Sequence, residues 1–523
     1  MSKFLEAFDA QCIKTPDAIA YKNTRGETLT YQELHEKSDA LAARLLELDA
    51  QKAPAVVYGH KSPYMLVCLM ACVRSGRAYV PADISFPPSR IADIIDQLGR
   101  AIVFETTGAG ITLDDAADCT VMPLDEIEAA CQAGGAPTPE DYVSGDDDFY
   151  IIFTSGSTGR PKGVRLGSNA VDAFWGYTLL YPVSDRVHTT FNRVPFSFDV
   201  SITDVLAGLS RGYTLFALAE EAEADLGSTL EALGSSGATV WLSTPSFADI
   251  CLTSPDFNAG LMPELESFEF SGEILHNSTV RKLQERFPNA MIVNAYGPTE
   301  TQAVTGVKIT REMAESDQAL PIGYAKPGSE IHVLDHETLE EVPTGESGEI
   351  FILGDTAANG YFGRPDLTEA AFSDAVMHDG TPTRRYRTGD KGFIEADGLL
   401  HYQGRFDFQV KLHGYRVELG EIEKALCSLP EVVNACVLPY LRDGRISYLC
   451  ACVLLADGVA SGFSTTKALK ASLKETLPEY MVPRKFVYPE EFPLNTNGKV
   501  DRKVLSARYC ESSTDASGDA DGK

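Results

Sequence analysis

The chain has 523 residues, 44% of them hydrophobic and 23% charged, and carries a formal net charge of −30. That length exceeds one ordinary hydrophobic core and calls for two or more domains. So acidic a surface repels polyanions, and no nucleic-acid partner is expected.

The opening MSKFLEAFDAQCIKT lacks the apolar core of a secretory signal. Thr30 and Glu33 form a capping box ahead of YQELHEKSDALAARLLEL, an amphipathic helix. APAVVYG follows as a strand. Ser62–Pro63 opens a helix that runs to Val73 and stops before Gly76. Within it YMLVCLMACV is too short to span a bilayer, so no membrane insertion is expected. RAYVPAD reads as a strand, RIADIIDQL as a helix and AIVFET as a strand. This β–α–β–α–β rhythm predicts a mainly parallel sheet with helices on both faces. It returns in GATVWLS, a helix near Ser246–Thr253, FEFSGE, a helix through Phe287, and AMIVNAYG.

From about residue 325 short strands spaced by Gly and Pro (EIHVLD, GEIFILG, LLHYQGR) indicate a β-rich subdomain. Beyond Gly404 come a helix at Leu419–Ser428, strands VVNACVLPY and ISYLCACVLL, and a helix at Thr465–Leu477. The fold class expected is α/β: a large N-terminal domain of doubly wound sheets plus a β-rich subdomain, with a small α+β C-terminal domain. The boundaries expected are 1–406 for the core and 407–509 for the C-terminal domain. The acidic, Ser/Gly-rich segment 510–523 is expected to be disordered. The 11 cysteines are scattered without CxxC pairs and read as structural thiols of a reducing cytoplasm; Cys450 and Cys452 are spaced to share one strand face.

The stretch YIIFTSGSTGRPKGV, residues 150–164, is the first with chemistry in it. Tyr150, Ile151, Ile152 and Phe153 form a continuous apolar strand. Hydroxyls of Thr154, Ser155, Ser157 and Thr158 follow, with Gly156 and Gly159 free to take positive φ and Lys162 to add charge. The loop reads either as a phosphate cradle or as a surface turn. It is not a Walker A loop, since Lys162 follows Pro161 and no Ser or Thr comes next.

Four later motifs, NAYGPTE (294–300), YRTGD (386–390), GRFDFQVKLHGYR (404–416) and NGKVDRK (497–503), decide between those readings. In this order, with the loop, they resemble the AMP-forming adenylating enzymes, over about residues 10–505. Each carries a part of one reaction. A carboxylate becomes an acyl donor by attacking the α-phosphate of ATP and expelling pyrophosphate, so phosphates, base, ribose and carboxylate must be held in register. The resemblance implies ATP and Mg2+ as cofactors. It implies nucleotide contacts from Thr154, Ser155, Gly156, Ser157, Thr158, Gly159 and Lys162, and from Asn294, Ala295, Tyr296, Gly297, Pro298 and Thr299. Asp390, Tyr402 and Arg405 are the implied ribose-side residues. Glu300 is the implied magnesium ligand, a hard oxygen for a hard cation. Lys499 is the implied catalytic lysine, acting with Thr299 and Glu300 and touching both substrate and nucleotide. Asp407 is the implied hinge, and Gly414 lines the implied path of a pantetheine thiol.

VPFSFDVSITDV (194–205) places Asp199 between apolar neighbours. An acid there either caps a helix or meets a substrate ammonium. In the amino-acid-activating branch of the family this position is the ammonium anchor, which sets that branch apart from fatty- and aryl-acid activators. VWLSTPSF, FEFSGEIL, LPIGYAKPG and YMVPRKFVY draw the likeness closer, to ligases that charge a phosphopantetheinylated, acidic D-alanyl carrier protein with D-alanine for teichoic acids. Ser271 and Ala303 then line the amino-acid site. Such ligases typically have Cys where this chain has Ser271, and TQAVTG after Glu300 is one residue short, which leaves the position of Ala303 open. Activation of another small amino acid, acyl-CoA synthesis, and nucleotide binding without catalysis are the alternatives.

Overall fold

In the computed structural model, which describes residues 2–113, 119–156, 160–178, 184, 186, 188–442, 445–494 and 500–510, the chain divides into two compact units. One comprises Met1–Ile84, Ile91–Thr154 and Lys162–Asp407; the other comprises Ser85–Arg90, Ser155–Pro161 and the chain from Phe408 on. The large unit is therefore not the unbroken stretch 1–406, and it ends at Asp407.

The β–α–β rhythm builds two sheets in the large unit. A seven-stranded sheet carries Ala55–Tyr58, Tyr79–Ala82, Ala101–Glu105 and Asp148–Thr154 in parallel. The helix Pro63–Arg74 lies between the first two, started by the Ser62 hydroxyl accepting from Met65 N and by Pro63 in its first turn. The capping box at Thr30 and Glu33 is closed in both directions, at 2.8 and 3.1 Å. A nine-stranded sheet holds the parallel strands Val240–Ser243, Ser267–Phe270 and Met291–Tyr296, with Leu242, Glu269 and Val293 in one row. On the face opposite that row lies an aromatic core, where Trp241 stacks on Phe191 and Phe247 at 5.2 and 5.3 Å. A five-stranded sheet of Ser329–Leu334, Gly348–Gly354, Phe372–Val376, Pro382–Ile394 and Leu400–Arg405 is the β-rich subdomain.

The second unit begins with a hairpin of Gln409–Leu412 and Tyr415–Glu418. Its two-residue turn, His413–Gly414, has φ of +52° and +88°, the left-handed pair that matches the twist of the flanking strands. A three-stranded sheet, Val432–Arg442, Arg445–Leu455 and Lys485–Val487, follows with the helices Leu419–Cys427, Phe463–Thr476 and Arg502–Tyr509.

The strand after the Ser/Gly loop, Lys162–Gly167, runs antiparallel to Asp148–Thr154, and the two form a hairpin. One expectation is corrected. Cys510 is not part of a loose tail. It is 1% exposed and packs with Cys436, Cys450 and Cys452; residues 511–523 lie outside the described ones. Cys450 and Cys452 do share a face, and among the described residues all cysteines are free thiols. Among the described residues no helix is long and apolar enough to cross a membrane.

Candidate active site

The strand Met291–Tyr296 delivers Asn294, Ala295 and Tyr296 and runs straight into Gly297, Pro298, Thr299 and Glu300. The turn that follows is unusually tight. A Cβ on Gly297 would lie 1.7 Å from the Gln302 carbonyl oxygen, and Gln302 itself holds a left-handed φ of +57°. The loop is tied by Thr301 N to Pro298 O at 2.9 Å and Val304 N to Tyr296 O at 2.8 Å. Asn294 Nδ2 donates to Pro321 O at 2.8 Å, fixing the strand end from the side.

Glu300 is 0% exposed. Its Oε1 accepts from the Tyr361 hydroxyl at 2.7 Å and from Lys162 Nζ at 3.3 Å. Lys162 also lies over the Tyr361 ring at 4.6 Å. The hairpin makes this meeting: Thr154 and Lys162 are its last pair before the loop. Thr299 is buried beside Glu300. Ser155 and Gly156 fall in the second unit. Ser157, Thr158, Gly159 and Lys499 lie outside the described residues.

A second carboxylate faces this group from the β-rich sheet. Asp390, 2% exposed, accepts from the Tyr296 hydroxyl at 2.6 Å through Oδ2 and from Arg405 through Oδ1. Arg405 reaches it because the two are cross-strand partners in an antiparallel pair. Each oxygen keeps a further lone pair, so Asp390 still has capacity for two hydroxyls. The same guanidinium grips Asp407 with two bonds of 2.6 Å, at the residue where the large unit ends. Burial and the adjoining Asp390 drive the Tyr296 hydroxyl well above its ordinary pKa, so it stays a donor. Tyr402 adds a ring 6.4 Å from that of Tyr296. Gly414, at the hairpin turn, belongs to the second unit.

A pocket opens beside this loop, and Asp199, Ser271, Ala295, Gly297 and Ala303 line it. Asp199 stands at the start of the helix Val200–Arg211, its Oδ1 accepting from Val200 N at 2.9 Å. It is thus a helix cap and a wall of the pocket together. Both Ala303 and Gln302 line the pocket, and Gln302 holds a left-handed backbone.

Sequence reasoning missed Glu269, which lines the same pocket. It alternates with Phe268 and Phe270, which face the aromatic core, so the FEFS alternation was the available signal. Burial pushes its carboxyl up to about 7, against the pull of Arg211. Also missed was a polar group next to the pocket. Lys61 donates to Val194 O at 2.6 Å and to the Asn192 amide oxygen, and Asn192 Nδ2 donates to Asp204 at 2.9 Å. Burial draws the Lys61 ammonium down and the Asp204 carboxyl up.

Residues 8–362 match the AMP-binding enzyme family, and residues 421–499 match the AMP-binding enzyme C-terminal domain. A D-alanine–D-alanyl carrier protein ligase of Listeria monocytogenes is 40% identical over 514 residues, covering 97% of this chain and 99% of that protein. The ligase of the same name from Bacillus mycoides is 41% identical over 508 residues, covering 96% and 99%. Among solved structures, an NRPS protein containing adenylation and PCP domains superposes with a TM-score of 0.81 at 26% identity, covering 97% of this chain and 84% of that one. An amide bond synthetase from Marinactinospora thermotolerans shares the fold, with a TM-score of 0.81 at 21% identity over 98% of this chain and 100% of that one. The chain belongs to the AMP-binding enzymes, the AMP-forming adenylating family.

Proposed function

We propose that this chain activates D-alanine with ATP, giving D-alanyl-AMP and pyrophosphate, and passes the D-alanyl group to the phosphopantetheine thiol of a D-alanyl carrier protein in the cytoplasm, for esterification of teichoic acids. The observation that carries this is the pocket itself. Asp199 lines a cavity whose other wall includes Ala295 and Gly297 of the nucleotide motif. An ammonium paired with Asp199 leaves the α-carboxylate directed to that loop. The names of relatives 40% and 41% identical over nearly the whole chain support D-alanine and a carrier protein.

Each residue then has a task. Lys162 and the hydroxyls of the loop carry pyrophosphate charge as it develops. Asp390, held by Tyr296 and Arg405, takes the ribose hydroxyls. Thr299 donates to the α-phosphate, and Lys499 bridges the substrate carboxylate and the nucleotide. Glu300 offers a single buried hard oxygen donor, which fits Mg2+, an ion that keeps waters and takes its remaining ligands from phosphates. When bound, Mg2+ neutralises phosphate charge. The carboxylate oxygen attacks the α-phosphorus, the bond to the bridging oxygen breaks, and pyrophosphate leaves. The thiolate then attacks the acyl carbon and AMP leaves.

Incubation with ATP, D-alanine and a phosphopantetheinylated D-alanyl carrier protein yields aminoacylated carrier by intact-mass spectrometry, and the apo carrier yields none. Equal acylation of free CoA contradicts carrier-specific transfer and favours an acyl-CoA synthetase.

Ser271 sits on the pocket wall at the end of the strand Ser267–Phe270. Ser271→Cys adds bulk next to the substrate Cα and raises the D- over L-alanine ratio in ATP–pyrophosphate exchange severalfold. An unchanged ratio removes Ser271 from stereochemical choice. Asp407 closes the large unit and is clamped by Arg405. As the pivot between adenylation and thiol transfer, Asp407→Pro fixes φ there and uncouples the half-reactions. Exchange and carrier loading change by different factors; equal, parallel loss of both refutes the pivot.

A further inference from the structure

Alanine leaves half of this pocket's chemistry unused. Its ammonium satisfies Asp199, and its methyl group asks only for a small apolar space. Yet Glu269 also lines the pocket, half-buried on the strand Ser267–Phe270, and among the described residues it has no hydrogen-bond or ion-pair partner, only the longer-range pull of Arg211. A carboxylate drawn partly out of water at a pocket wall without a cation is costly, and a ligand amine in that pocket would offset the cost.

The sheet register says where that something lies. Glu269 is in row with Leu242 and Val293, and all three line the pocket. Ser271 lies two residues further along the same strand, and Ala295 two beyond Val293, toward the loop that begins at Gly297. Residues two apart on a strand share a face and stand about 6.6 Å apart. Ser271 and Ala295 therefore flank the reacting end of the substrate, and Glu269 is one repeat deeper, at the end that receives the side chain. Asp199, on the helix covering this face, is the group left for the α-ammonium.

We propose that the site also takes a short α-amino acid carrying a second amino group on its side chain, with Glu269 pairing that amine while Asp199 holds the α-ammonium. This rests on the reading above that the pocket activates a small α-amino acid. It adds a second charge selection that a ligase dedicated to alanine does not need. The neighbouring charges fit it: Lys61 is committed to Asn192 and Val194, and Asp204 to Asn192, so neither ion supplies Glu269 with a partner.

The test is ATP–pyrophosphate exchange by the full chain with D-alanine and with the D and L forms of 2,3-diaminopropionate, 2,4-diaminobutyrate and ornithine, repeated with Glu269→Gln and Glu269→Leu. At least one diamino acid supports exchange with a kcat/KM matching that of D-alanine. Glu269→Leu lowers the diamino-to-alanine ratio about a hundredfold and Glu269→Gln about tenfold. The glutamine variant keeps the side-chain shape and carries the test if the leucine variant does not fold. Exchange with D-alanine but with none of the diamino acids overturns this inference and leaves the D-alanine reading intact. Diamino-acid exchange whose ratio both variants leave unmoved overturns the role of Glu269. Exchange with no amino acid at all overturns the D-alanine reading and this inference with it.

Discussion

Asp199→Ala lowers kcat/KM for D-alanine in ATP–pyrophosphate exchange by about two to three orders of magnitude, the cost of about 3–5 kcal/mol for removing one partner of a buried ion pair. The effect follows from position. Asp199 lines the pocket between the covering helix and the strands that lead to the nucleotide loop, and its Oδ1 accepts from Val200 N. Asp199→Asn separates the two duties of the residue. Asparagine caps helices as well as aspartate does, so the melting temperature holds while exchange falls nearly as far as in the alanine variant. Full activity in Asp199→Asn would reduce the residue to a cap and move the ammonium elsewhere.

Gly297→Ala abolishes exchange and lowers the melting temperature by a few degrees. The new Cβ would lie 1.7 Å from the Gln302 carbonyl oxygen, 2.5 Å from its carbon and 2.8 Å from Ala303 Cα. All three are backbone atoms of a loop already bent to φ +57° at Gln302, so no side chain is able to swing aside. Relief requires opening the loop that carries Thr299, Glu300 and Ala303, and overpacking of this kind costs about 1–3 kcal/mol or more. Gly176→Ala is the control: its Cβ meets nothing within 4 Å, and exchange by that variant stays at the parent level. A Gly297→Ala protein with parental exchange would mean that the tight turn has no part in holding the site.

These two residues also mark what the sequence conveys and what it withholds. Asp199 was legible because an acid between Phe198 and Val200 breaks a local pattern. Glu300, Asp390 and Lys162 were legible because they sit in motifs with fixed spacing. The capping box at Thr30 and the alternation of strands and helices were equally local signals, each set within a few residues. Glu269 was hidden because its meaning depends on which face of the strand Ser267–Phe270 meets the aromatic core and which meets the pocket, a matter of its neighbours 27 residues back at Leu242 and 24 residues on at Val293. The reversal at Lys162–Gly167 was hidden for a similar reason: antiparallel pairing with Asp148–Thr154 gives no composition cue distinct from a parallel strand. Lys61 and Asp204 look like ordinary surface charges in sequence, and only the fold brings them to Asn192. Cys510 looked like the start of an acidic tail, yet its thiol belongs to a cluster with Cys436, Cys450 and Cys452.

The account turns on recognition of an ammonium-bearing acid by Asp199 before its carboxylate meets the nucleotide. ATP–pyrophosphate exchange with D-alanine against propionate, the same skeleton without the amine, tests this most directly. Exchange that depends on D-alanine and is at background with propionate is the result predicted. Propionate supporting exchange as well as D-alanine does would contradict it.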